Sequence, residues 1–169
     1  GELVDGYDLP VGDGNPAEAE AAPGEEQIRP NLEQSEKSYI VRSGSSYWEF
    51  DRKTGLLVAG GKSCNAASEV GGPYLAVTPL ELAPFSQISG PNVALQPPLM
   101  NWTASSVAAQ VEGGSVLIRT TGNYPDYAGG YTVRIDGTGS LGVGYQFEYS
   151  GAEVLAREIG LLFDIPINV

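Results

Sequence analysis

Near the end of the chain, hydrophobic and polar residues alternate one for one along two adjoining runs. In the first, Tyr131, Val133 and Ile135 alternate with Thr132, Arg134 and Asp136; in the second, Leu141, Val143, Tyr145, Phe147 and Tyr149 alternate with Ser140, Gly142, Gly144, Gln146 and Glu148. Successive side chains of a strand point to opposite faces, so a period of two buries one face and wets the other. Asp136, Gly137, Thr138 and Gly139 stand between the runs and tolerate positive φ, as a hairpin connection requires. The pattern predicts one long antiparallel hairpin. Leu141, Val143, Tyr145 and Phe147 are expected on its buried face, with Gln146 and Glu148 on the other.

The same period recurs upstream. Tyr39 and Val41 alternate with Ile40 and Arg42, and Trp48 and Phe50 with Tyr47, Glu49 and Asp51, before residues 51–55 turn the chain into the apolar run Leu56, Leu57, Val58. Residues 73–78 read as a short strand, and residues 104–111 and 115–121 as a hairpin around Glu112, Gly113 and Gly114. Residues 123–130 read as a loop. Five prolines between 79 and 98 deny ladder donors, which predicts irregular or edge structure there. Residues 152–158 have room for one helical turn at most. Short strands at close spacing, with 23 glycines and 12 prolines, predict an all-β antiparallel β-sandwich over residues 38–169.

Two glycine patterns imitate phosphate sites. Residues 137–142 satisfy GxGxxG after a strand, but a dinucleotide fingerprint needs a helix to begin there, and residues 143–149 have no helical period. It reads as a hairpin turn. Gly60, Gly61, Lys62 and Ser63 approach a phosphate loop, yet the first glycine of that motif would fall at Leu56.

Charge divides the chain further. Residues 1–36 hold ten of the 21 carboxylates against a single arginine, punctuated by Pro10, Pro16, Pro23 and Pro30. With little apolar surface to offset the entropy of ordering, residues 1–37 are expected to form an acidic Pro/Ala/Glu-rich linker or disordered arm. The remaining basic residues are scattered, which argues against a nucleic-acid partner. No apolar run approaches the roughly 20 residues that a membrane-spanning helix needs, and no membrane partner is expected. The chain opens at Gly1 and Glu2 rather than at methionine, so a missing signal peptide is silent about compartment.

The chain has no histidine and one cysteine, Cys64. An intrachain disulfide and a cysteine zinc cluster are thereby excluded, as are Ser/His/Asp triads, Cys/His dyads and HExxH zinc chemistry. No cofactor or metal is expected, and Cys64 reads as a small buried or loop residue. Carboxylate pairs could in principle cleave a glycosidic bond, but no spacing singles out a pair, so no catalytic residue is assigned. The best candidates for contact with a sugar or a neighbouring domain are Asn123, Tyr124, Asp126 and Tyr127, together with Trp102. Flat rings suit the CH face of a sugar, and amide and carboxylate groups suit its hydroxyls. The alternative for this loop is a hairpin connection whose tyrosines cap the core. Asn101, Trp102 and Thr103 also spell a glycosylation sequon, meaningful only in a eukaryotic secretory host.

Four segments in succession carry a family resemblance. They are residues 48–57 (WEFDRKTGLL), 71–79 (GGPYLAVTP), the hairpin of residues 131–149, and 157–166 (REIGLLFDIP). In that order and spacing, over about residues 38–169, they resemble the last domain of glycoside hydrolase family 2 enzymes of the β-galactosidase type. The resemblance implies a galactose-mutarotase-like supersandwich packed beside a catalytic barrel, here only its first part. A WRAPTDND-like segment common in the family is missing, as is the barrel with its catalytic glutamates. The implied role is a noncatalytic module that scaffolds or borders a carbohydrate active site, and the alternative is a free-standing carbohydrate-binding module. Its implied partners are the catalytic and other domains of a parent enzyme and an oligosaccharide. The uncovered edges of a half-sandwich favour self-association. Bacterial enzymes of this type are often exported, which implies a periplasmic or extracellular location.

Overall fold

The computed structural model describes residues 29–62, 68–79, 98–152 and 156–165; the expected acidic arm up to residue 28 and Cys64 lie outside them. Among the described residues there are ten strands and no helix: β1 (Asn31–Gln34), β2 (Ser38–Ser43), β3 (Ser46–Asp51), β4 (Leu57–Gly61), β5 (Ser68–Pro79), β6 (Thr103–Glu112), β7 (Ser115–Tyr124), β8 (Tyr127–Ile135), β9 (Leu141–Tyr149) and β10 (Ala156–Asp164). They form a six-stranded sheet, in the order β1-β2-β3-β4-β5-β10, and a four-stranded sheet, β6-β7-β8-β9. Every pairing is antiparallel. The two sheets pack face to face as a β-sandwich.

Alternation fixes which faces meet. Tyr39 and Val41 on β2, Phe50 on β3 and Leu57 from the wide sheet close against Val116 and Ile118 on β7 and Val133 and Ile135 on β8. A second cluster, at the other end, gathers Leu75, Tyr124 and Tyr131, with Trp102, Phe147 and Leu161 around them. Each tryptophan ties a turn of the opposite sheet. The Trp48 indole N–H donates to the Gly139 carbonyl at 3.0 Å, and that of Trp102 donates to the Thr54 carbonyl at 2.9 Å. Ser43 Oγ donates to the carbonyls of Asp136 and Gly137 beside the first of these ties. Gly139 has a φ of 82° and lies where a Cβ would overlap Ser46, so both its backbone and its space call for glycine.

The GxGxxG run is the β8–β9 turn. The Asp136 carboxylate accepts from Thr138 N at 2.8 Å, Thr138 Oγ1 at 2.6 Å and Ser140 N at 3.1 Å, an Asx-type connection with no helix after it. Partial burial pushes the Asp136 pKa up, but these hydrogen bonds outweigh it and hold the carboxyl below its usual range.

Four sequence expectations differ from what forms. β5 is twelve residues long rather than a short run from Pro73, because it lies between two strands: Ser68, Glu69 and Gly72 pair with β4 on one edge, while Gly71 and the residues from Tyr74 onward pair with β10 on the other. Pro73 is in neither register and sits where the two ladders overlap, so its missing amide is least costly there. Residues 123–130 are mostly strand rather than loop: β7 runs to Tyr124 and β8 starts directly opposite at Tyr127, leaving only Pro125 and Asp126 as the hairpin turn. Gly129 and Gly130 suggested a loop, but they mark close strand contact; a Cβ on Gly129 would overlap the Gln146 carbonyl, and one on Gly130 that of Thr120. Ordered chain also begins before Ser38, since β1 pairs with β2, Leu32 packs on the core and Glu33 meets Arg42 at 3.1 Å.

The fourth difference is Tyr145, predicted buried and in fact 43% exposed. Leu141, Val143 and Phe147 do pack inward as expected. The narrow sheet ends at β9, and opposite Tyr145 the wide sheet also reaches an edge, at β10. A side chain on the inner face there finds a rim instead of a floor.

Phe50 is wholly buried, so Phe50→Ala should cost about 3–5 kcal/mol including the cavity. Glu148→Ala, on the exposed face of β9, should stay within about 0.5 kcal/mol. Urea unfolding of the two variants checks the strand register directly.

Candidate functional site

The residues predicted to meet a ligand divide between an interior cluster and a rim. β7 carries Tyr124 into the second core cluster, where its ring lies 5.1 Å from that of Trp102 and 5.9 Å from that of Phe147. Tyr131, from β8, packs edge-on to both Trp102 and Phe147. The two tyrosine hydroxyls lie 2.7 Å apart, and the backbone N–H of Leu75 donates to both, at 3.2 Å to Tyr124 and 3.0 Å to Tyr131. Trp102 covers Gly122, where a Cβ would press on its ring, and its one donor is engaged with Thr54. None of these polar tips is directed at solvent.

The rim is formed by Tyr127 and Tyr149, which face each other across the β8–β9 ladder with ring centroids 4.8 Å apart and planes at 40°. Tyr149, 42% exposed, donates its hydroxyl to the Ala152 carbonyl at 2.6 Å. Burial, Tyr149 and then Asp126 push the Tyr127 pKa upward. Asn123 and Asp126 are exposed at the hairpin tip, and the Asp126 carbonyl accepts from Ser150 N at 3.0 Å. Of the five predicted residues, then, Trp102 and Tyr124 join the interior cluster, while Asn123, Asp126 and Tyr127 stay at the rim.

Sequence reasoning missed Tyr131, Leu75 and Tyr149. Tyr149 was legible as the last inward position of the β9 alternation. The pairing of Tyr124 with Tyr131 was not, because it depends on where β5 passes beneath two strands of the other sheet.

Chemically, Tyr131 is inert toward proton transfer near neutrality. Burial, with the hydrogen bond and charge of Tyr124, drives the Tyr131 pKa far above its usual value, so the phenol stays protonated. Hydrogen bonds from Arg119 and Gln110 hold exposed Glu112 low, and Asp136 is also held low, whereas a glycosidase acid needs a raised pKa. Among the described residues no three His, Cys, Asp or Glu side chains gather as a metal site. No helix there is long and apolar enough to cross a membrane.

The chain matches no protein-family model, and no curated protein matches it.

Removing both acceptors of the Leu75 amide should cost more than the sum of the single changes. Tyr124→Phe or Tyr131→Phe alone leaves one hydroxyl to accept and should cost about 0.5–1.5 kcal/mol, whereas the double variant strands a buried N–H worth a further ~1–3 kcal/mol. The pH dependence has a definite sign. Below about pH 10 Tyr131 is protonated in both folded and unfolded chains; above it only the unfolded chain loses the proton, so stability falls as pH rises. Urea unfolding between pH 8 and 11 (roughly spanning the usual tyrosine range) should show that fall, made shallower by Tyr131→Phe.

Proposed function

We propose that this chain is a noncatalytic β-sandwich module of a glycoside hydrolase resembling the β-galactosidase type of family 2, bordering or scaffolding the active site of a separate catalytic barrel. In this reading it is the first part of a galactose-mutarotase-like supersandwich, and its partners are the other domains of the parent enzyme. The observation that supports it most is the internal use of the aromatic groups. Tyr124 is buried with its hydroxyl on Tyr131 and Leu75, and Trp102 spends its donor on Thr54, as suits a structural module better than a ligand platform. The low titration of Asp136 and Glu112 fits a module that leaves the acid chemistry to another domain. The succession of residues 48–57, 71–79, 131–149 and 157–166 along the sequence is what supports the family resemblance.

One observation favours the rival reading of a free-standing carbohydrate-binding module. Tyr127 and Tyr149 present a partly exposed pair of rings beside the Asp126 carboxylate, a small version of the surface that sugars use. Their 40° tilt makes a cleft rather than a flat platform.

Two measurements separate these readings. The adjoining gene sequence should encode a barrel with paired glutamates, and its absence removes the module reading. Calorimetric titration of the isolated chain with galacto-oligosaccharides and plant polysaccharides should give no saturable heat if the chain is a scaffold. Saturable heat that disappears in both Tyr127→Ala and Tyr149→Ala would instead establish the binding module.

A further inference from the structure

Among the described residues the sandwich has four edge strands, and they are not equally guarded. β1 is four residues long and carries the Glu33–Arg42 ion pair. β6 is largely polar, and the side chains of β9 that face away from the core include Gly142, Gly144, Gln146 and Glu148. β10 is nine residues long with Ile159, Leu161, Leu162 and Phe163 in sequence order, and it carries neither lysine nor proline. Short strands, charge and proline are the usual protections of an edge; β10 keeps its charges, Arg157, Glu158 and Asp164, to its two ends, and residues 159–163 between them have neither charge nor proline.

The backbone groups that β10 turns outward can be identified from β5. Leu75 pairs with Leu161, yet its N–H goes to the two tyrosines and its carbonyl accepts from Leu99 N at 2.7 Å, so this is a pair that does not exchange ladder bonds. Antiparallel pairs alternate in that respect, so Val77 and Ile159 form another such pair. The N–H and C=O groups of both Ile159 and Leu161 therefore point away from β5. From that side the Tyr145 hydroxyl donates to the Ile159 carbonyl at 3.5 Å, a long bond that leaves the carbonyl its second lone pair for a partner strand.

We propose that β10 pairs antiparallel with β10 of a second copy of this chain, about a twofold axis at Gly160, joining the two six-stranded sheets. Three features select the partner and the register. The β5–β10 ladder shifts register between Ala156 and Glu158 and again between Leu162 and Asp164, so its regular part is Glu158 to Leu162, with Gly160 at the centre. About that centre Ile159 faces Leu161 of the second copy, and their outward N–H and C=O groups answer each other twice. Charge then excludes the neighbouring register: centring on Leu161 sets Glu158 against Asp164 of the other copy at both ends, whereas centring on Gly160 sets Glu158 against Leu162. The same inner face brings exposed Ile159 and Tyr145 of both copies over one continuous sheet, where their apolar surface is covered. This inference goes beyond the module reading and does not depend on it.

A cysteine cross-link tests the register. A Cβ on Gly160 meets nothing within 4 Å, so Gly160→Cys is tolerated sterically. At the axis two such residues form a pair with Cα atoms about 4.5 Å apart, within disulfide reach. In a Cys64→Ala background, Gly160→Cys should oxidise to a covalent dimer in high yield. Phe163→Cys should not, because the two copies of residue 163 would stand roughly 20 Å apart. Light scattering of the unmodified chain should show a concentration-dependent dimer. Ile159→Lys should render it monomeric with unchanged far-UV circular dichroism, and Val111→Lys on the β6 edge should leave it dimeric. A chain that stays monomeric at high micromolar concentration, or cross-links as well through residue 163 as through 160, overturns the proposal; the first result would leave the β10 edge to a strand of some other chain.

Discussion

The fold depends on one buried amide that has left its ladder. β4 pairs with one edge of β5 only as far as Gly72, while β10 follows the other edge from Gly71 to Pro79, so Leu75 lies past the last residue that β4 pairs. A buried N–H without an acceptor costs on the order of 1–3 kcal/mol, so the chain must supply one from elsewhere. It supplies two, the hydroxyls of Tyr124 and Tyr131 from the facing sheet. The Leu75 carbonyl is answered by Leu99 N, so the segment leading into β6 is anchored at the same point. One local break in strand pairing thus positions the second sheet, the entry to β6 and the aromatic cluster around Trp102.

That arrangement explains why the core has two parts. Around Val41, Phe50, Ile118 and Val133 the sheets meet mainly through aliphatic and phenyl groups, with the Tyr39 hydroxyl donating to the Val107 carbonyl and Trp48 packed at the margin, and burial is the main force that holds them. Around Leu75 the core is built from Trp and Tyr, whose polar tips must be answered when buried. The indole N–H groups are answered by turn carbonyls of the opposite sheet, so each tryptophan also fixes a turn. Gly55 belongs to the same device. Its φ is 70°, and a Cβ there would strike Thr120 of the facing sheet, which lets the Thr54 turn sit close enough for Trp102 to reach.

Alternation made most strands legible. β2, β3, β8 and β9 each present apolar residues at every second position, and inward residues such as Val41, Phe50, Val133 and Phe147 were readable from the sequence. What escaped depended on relations between strands. Gly71, Gly72 and Pro73 read as an interruption, whereas they lie within β5 where its two ladders overlap. Gly129 and Gly130 read as loop residues because a sequence does not reveal that another backbone passes against them. Tyr145 obeys the period and still meets solvent, because periodicity reports which face a residue takes and not how far the opposite sheet extends.

The candidate site shows the same limit in chemical terms. Tyrosine and tryptophan beside an asparagine and an aspartate compose equally well a sugar platform or a wet rim around a dry aromatic cluster. The deciding variable is the direction of the polar tip. A ring that receives a sugar keeps its face open and its tip free to bond with solvent or ligand, whereas Tyr124 and Trp102 turn theirs toward backbone groups of the other sheet. Tyr127 and its partner Tyr149 stay at the rim because they stand at the end of the β8–β9 ladder, beside the turn at Pro125 and Asp126. The unequal widths of the two sheets, six strands against four, leave exposed aromatic and aliphatic surface along the β9–β10 side. Whatever this chain binds, that side has both the apolar area and the outward backbone groups to hold it.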